Sequence, residues 1–277
     1  MLTEVTRVRA VVTDVDGTIL RPDGTVSAAT LAAARSLSAA GVPLILATAR
    51  TPAGVRNVGP LLASVRVAVC CNGAIGLDPS SGQFLWQHRL EPGLLADLAA
   101  FLAAEIPAAR LGVYDGQRWT VSEGYLEIRE WRPAGACVVT SVRHACTVSA
   151  SAVGICHPSL TAADLMAAVA ARGLADGRAH LSYGSDDTLD LSPAGVDKGS
   201  GVRRALELPG ISVDPRDAVG FGDSVNDLPL VGALGRFVAM GNSHPAVLAA
   251  ADEVTGSVAA DGVAGWLAGA GVAAANA

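Results

Sequence analysis

Residues 8–20 read VRAVVTDVDGTIL, an apolar run that stops on a carboxylate, Asp14, with a second, Asp16, two positions later and a Gly-Thr turn after it. A strand covered by helices on both faces reads this way, because neither face needs polar residues. The stretches 42–48 (VPLILAT) and 65–73 (VRVAVCCNG) repeat the pattern. Between the first two lies a helical sequence: Ser27 suits an N-cap, Leu31 and Leu37 mark an apolar stripe, and Gly41 is a natural stop. Beyond residue 191 the alternation resumes, with a helix over 199–208 and strands at 217–223 (DAVGFGD) and 236–241 (RFVAMG).

Repeated strand, helix and strand with uninterrupted apolar strands predicts an α/β fold, a Rossmann-like parallel sheet with helices on both faces. The middle of the chain differs. Residues 74–90 (AIGLDPSSGQFLWQHRL) read as a hairpin around 78–82, followed by a helix over 92–105 and alternating strands near 111–121. Trp86, Tyr114, Trp119, Tyr125, Trp131 and Tyr183 fall in this middle part. The reading is an inserted α+β domain at 84–190 within a core made of 1–83 and 191–277.

With 51% hydrophobic and 17% charged residues in 277, the chain is built to bury a core, not to stay disordered. A formal net charge of -6 and no basic run argue against nucleic acid and anionic membranes as partners. No charged segment leads into an apolar signal stretch, and the tail 262–277 is too short and glycine-broken to span a bilayer, so the expected location is the cytoplasm. Five cysteines, Cys70, Cys71, Cys137, Cys146 and Cys156, suit reduced thiols. Cys137, His144, Cys146, Cys156 and His157 match no zinc spacing, and the cysteines are read as small buried hydrophobes.

Functional groups of an open parallel sheet collect beyond the carboxyl ends of its strands. Asp14 and Asp16 end the first strand, Thr48 the second, Asn72 the third, and Asp223 a late strand in GFGDSVNDLPL (220–230), which also carries Asn226 and Asp227. Singly, each is an ordinary turn former or cap. Together they set three or four carboxylates at one edge, where they repel unless a cation intervenes, and hard oxygen donors in an incomplete cage suit Mg²⁺. The only lysine in the chain, Lys198, lies in DLSPAGVDKGSG (190–201), while every other basic position uses arginine.

The order DVDGT (14–18), ATAR (47–50), DKG (197–199) and GDSVND (222–227) resembles the four motifs of the haloacid dehalogenase (HAD) superfamily. CCNGA (70–74), AMGN (239–242) and DGVAGWL (261–267) resemble its Cof-like subgroup, whose C2B-type cap is inserted between the second and third motifs. The resemblance implies a Mg²⁺-dependent phosphatase acting on a small phosphorylated metabolite, a sugar phosphate foremost. Asp14 would be the nucleophile that forms an aspartyl-phosphate, and Asp16 the acid and base. Asp14, the main chain of Asp16, Asp223 and Asp227 would hold or adjoin the metal. Thr48, Ala49, Arg50, Asn72, Gly73, Lys198 and Asn226 would meet phosphate or substrate.

A phosphomutase or phosphotransferase with the same aspartyl-phosphate chemistry is the alternative, and a non-catalytic regulatory module a further one. The insert holds no lysine, which excludes a Schiff-base phosphonate-cleaving relative. A receiver domain would be far shorter. Within the insert, Arg118, Arg143, His144, Tyr183, Asp186 and Asp187 are candidates for substrate contact, with no motif to select among them.

Overall fold

The computed structural model describes residues 8–129 and 133–272, so Trp131 lies outside the described residues. The apolar stretches form the strands expected of them: β1 (Ala10–Thr13), β2 (Leu44–Ala47) and β3 (Val65–Cys70), all fully buried except Arg66. The helix between the first two, Ala28–Ala39, starts at Ser27, whose side chain accepts from the Thr30 amide, and Gly41 follows it with φ 70°.

Two strands then form a hairpin, β4 (Ile75–Leu77), antiparallel to β3, and β5 (Phe84–Gln87), antiparallel to β4. A second set follows: β6 (Arg110–Tyr114), β7 (Arg118–Ser122), β8 (Ala136–Thr140), β9 (Ala152–Cys156), β10 (Ala179–Ser185) and β11 (Thr188–Pro193). The chain finishes with β12 (Ala218–Gly222), β13 (Arg236–Ala239) and β14 (Glu253–Val254).

The large sheet has the order β14-β13-β12-β1-β2-β3-β4-β5, parallel from β14 to β3. The fold is thus the α/β parallel sheet with helices that the sequence pattern predicts, its β1 at the centre. The small sheet has the order β10-β11-β9-β6-β7-β8. Its strands begin at Arg110 and end at Pro193, whereas Phe84–Gln87 pairs with the large sheet.

One face of the small sheet carries Leu111, Val113, Val153, Ile155, Leu189 and Leu191, packed on Leu94, Leu95, Leu98 and Leu102 of the helix Pro92–Glu105 and on Leu165 and Val169 of the helix Ala162–Ala171. Those alternate residues leave Tyr114, Trp119, Val121 and Cys156 to pack in the same cluster as Ile75 of the large sheet and Cys71 and Ala74 of the turn that leads into it. Burying a large aliphatic side chain contributes about 1.5–3 kcal/mol, so this shared cluster ties the two sheets firmly. Cys70, Cys71, Cys146 and Cys156 are buried and Cys137 half-buried. No helix of the described residues is long and apolar enough to cross a membrane.

Candidate active site

The parallel strands bring their carboxyl ends to one edge, and β1 and β12 are neighbours there. Asp14 follows β1 with its amide donating to the Phe221 carbonyl (2.9 Å), so the two strand ends are locked in register. Asp223 follows β12. The first helical turn after it, Val225–Asp227, turns Asp227 back, and its Oδ2 accepts from the amides of Asp223 and Ser224, both at 3.0 Å.

Lys198 opens the helix Lys198–Leu206, which Asp197 caps through a reciprocal pair of bonds with Ser200. Its ammonium donates to Asp14 Oδ1 at 2.7 Å and to Asp227 Oδ1 at 2.6 Å. All three side chains are shut from solvent, Lys198 at 1% and Asp227 at 0% exposure. Burial works against the ammonium, but Asp14 and Asp227 outweigh it and raise the Lys198 pKa, so the lysine stays charged. Burial likewise raises Asp14 well above the usual carboxylate range, with Lys198 opposing and Asp227 adding to it. Burial pushes Asp223 up to about 6, although Thr18 Oγ1 donates to it at 2.8 Å.

One ammonium for three carboxylates leaves this edge short of positive charge. Oxygens of Asp14, Asp223 and Asp227 lie within 4.8 Å of one another. The backbone of Gly17, at φ 76°, approaches so closely that a Cβ there would stand 2.4 Å from Asp223 Oδ2. Hard oxygens, excess negative charge and an incomplete cage fit a divalent cation. Both oxygens of Asp227 are engaged and its side chain is fully buried, whereas Asp223, although it accepts from Thr18 and Asn242, is only half-buried, so Asp14 and Asp223 are the carboxylates placed to ligate and Asp227 stands behind them.

Asp16 points elsewhere. Its carboxylate is 58% exposed and takes a bidentate pair from Arg50, Nε at 2.8 Å and Nη2 at 2.7 Å. Thr48 is buried, and its hydroxyl accepts from the Arg50 amide at 3.1 Å, which leaves the hydroxyl proton for another acceptor. Cys71 and Asn72 are consecutive left-handed residues, φ 51° and 50°, pinned by amide bonds to the carbonyls of Arg50 and Thr48. Gly73 packs against the lysine helix: a Cβ on it would lie 2.1 Å from the Asp197 carbonyl oxygen, and its own carbonyl accepts from Trp86 Nε1. Asn226 holds a buried Oδ1 with no partner among the described residues.

Asn72 reaches across to the small sheet, where its Nδ2 donates to Asp190 Oδ2 at 3.3 Å and lies 3.5 Å from Ser182 Oγ. That contact borders a cavity of about 490 Å³ lined by Asp16, Ala49 and Arg50 from the large-sheet side and by Trp119, Tyr125, Arg129, Gly184 and Asp190 from the other. Of the insert candidates, Asp187 pairs with Arg129 (3.7 Å), whereas Arg118 pairs with Asp115 (3.6 Å) and Arg143 borders a different, apolar groove. Neither Tyr183, His144 nor Asp186 lines the cavity. Sequence reasoning missed Asp190 and Arg129. A signal existed for the first: Asp190 is the lone charge between Leu189 and Leu191 of β11, so period-two alternation points it to the opposite face from the apolar pair.

A family model described as haloacid dehalogenase-like hydrolase matches residues 11–267. Similar proteins include an HMP-PP phosphatase from Enterobacter sp. (strain 638), 26% identical over 240 residues and covering 85% of each chain. Similar solved structures include a HAD subclass IIB sugar phosphatase, TM-score 0.84 at 18% identity over 95% of this chain and 99% of that one. A HAD phosphatase from Bacteroides thetaiotaomicron gives TM-score 0.79 at 20% identity over 98% of both chains.

Proposed function

The chain belongs to the haloacid dehalogenase-like hydrolases, and from that premise we propose that it is a Mg²⁺-dependent phosphatase of a small phosphorylated metabolite, a sugar phosphate foremost. We propose that the insert read at 84–190, apart from Phe84–Gln87, which pairs with the large sheet, is the cap that covers the carboxylate edge. The observation that carries the reading is the buried Lys198 between Asp14 and Asp227 beside Asp223. The names of similar proteins, an HMP-PP phosphatase and a sugar phosphatase, support the reaction class.

An Asp14 carboxylate oxygen attacks phosphorus, and the bond from phosphorus to the leaving oxygen breaks. That oxygen keeps the electron pair and takes a proton from Asp16, which requires Asp16 to be released from Arg50 and protonated on substrate entry. Asp16 then removes a proton from water as the water oxygen attacks the aspartyl-phosphate, returning Asp14 as carboxylate and freeing phosphate. Lys198 holds a compact positive charge against Asp14 throughout, and Thr48 turns its free hydroxyl proton to a phosphoryl oxygen. Asp14, Asp223 and the main chain of Asp16 would hold the cation, which when bound offsets the charge of the phosphoryl oxygens. Ala49, Arg50, Asn72, Gly73 and Asn226 frame the rest of the substrate region, Gly73 by seating the lysine helix.

Phosphate release from a panel of phosphorylated metabolites with Mg²⁺ tests this. Asp14→Asn should lower turnover at least about a thousandfold, and undiminished turnover in that variant would refute the mechanism.

A further inference from the structure

The wall of the cavity opposite Asp16 is built from the small sheet, and one of its groups has acceptor capacity to spare. Among the described residues Asp190 accepts one hydrogen bond, from Asn72, whereas a carboxylate can accept about four. Asn72 itself is 4% exposed, with an Oδ1 that has no partner among the described residues. Strand β10 breaks its register with β11 between Tyr183 and Ser185, at Gly184, and a Cβ there would stand 2.6 Å from Asp190 Oδ1. Bulges of this kind re-aim side chains beside functional sites. Burial raises the Asp190 carboxyl to about 6, against the lowering effect of Arg129, Asn72 and Lys198, so placing an acid here is costly to the fold. Trp119 and Tyr125, both buried, border the same wall.

We propose that Asp190 determines specificity by accepting hydrogen bonds from hydroxyl groups of the leaving group, selecting phosphate esters of polyhydroxylated compounds over esters without donors. The argument rests on the phosphatase reading above. A site that pairs a substrate hydroxyl rejects analogues lacking it, because its own polar group is then left unpaired. The carboxylate suits the hydroxyls of a sugar.

The test compares kcat/KM for a series of aldose phosphates with that for p-nitrophenyl phosphate, whose leaving group has no donor. Loss of p-nitrophenyl phosphate hydrolysis in Asp14→Asn secures the underlying reaction separately; if the wild-type enzyme hydrolyses neither class, the phosphatase reading fails, not the specificity assignment alone. In Asp190→Asn, kcat/KM for the preferred aldose phosphate should fall about ten- to hundredfold, with p-nitrophenyl phosphate unchanged within about twofold. Gly184→Ala, which displaces the same carboxylate without altering it, should show the same selective loss and decides the matter if Asp190→Asn does not melt like the wild type. Equal loss on both substrate types, or no loss on either, would overturn the assignment.

Discussion

At the scale of single residues, Lys198 is held on both sides by carboxylates at 2.6 and 2.7 Å with no solvent to adjust into. A guanidinium is wider and planar, so the pocket cannot accept it without moving Asp14 or Asp227. Lys198→Arg should therefore lower kcat/KM at least about a hundredfold and cost about 1–3 kcal/mol of stability through overpacking. Steady-state kinetics and denaturant unfolding check the two halves. Retained turnover would mean that the ammonium has no special task. These residues were legible in the sequence because each lies at a predicted strand end or, for Lys198, is the only one of its kind. Asp190 was not singled out, since a lone acid in a strand carries no motif and its meaning depends on what the opposite wall supplies.

At the scale of elements, the lysine helix reaches the site because two glycines let it come close to the third strand. Gly73 lies under the Asp197 carbonyl, and Gly201 sits against Gly73 Cα, with a would-be Cβ only 2.7 Å away. Gly73 also has φ 103°, which a side chain disfavours. Gly73→Ala should push the helix Lys198–Leu206 outward, lowering kcat well before it lowers substrate affinity; a change in KM alone would contradict the account. The sequence showed CCNGA as a motif but not this packing role, because close approach of two backbones leaves no periodic trace. It placed the parallel strands and the first helix within a few residues, through uninterrupted apolar runs and the Ser27 cap. The hairpin read around 78–82 does pair Phe84–Gln87 with Ile75–Leu77; what the sequence did not reveal is that this hairpin extends the large sheet beside β3, since the turn sets the pairing within a hairpin but not the sheet it joins.

At the scale of the whole molecule, two sheets share one apolar cluster, and the charged edge of the large sheet opens into a cavity roofed by the small one. The edge carries more negative than positive charge, so a divalent cation should stabilise the fold. Mg²⁺ at about a hundred times its Kd would add about 2.7 kcal/mol, a rise of several degrees in Tm by differential scanning. Asp223→Asn should abolish most of that rise; an equal rise in the variant would place the ion elsewhere. The alternation of strands announced the parallel core, whereas the carboxylates at its edge pointed only to a bound cation, the phosphatase reading coming from the resemblance of the motifs. Which face of the small sheet looks onto them followed only from seeing Leu189 and Leu191 buried on one side and Asp190 on the other.

The claim on which all of this depends is that Asp14 carries the phosphoryl group. Rapid acid quench of the enzyme with Mg²⁺ and substrate, followed by proteolysis and mass spectrometry, measures it directly. The account predicts a phosphoryl increment on the peptide containing Asp14, absent in Asp14→Asn. Steady turnover with no phosphorylated peptide, or with the increment on a different residue, would contradict it.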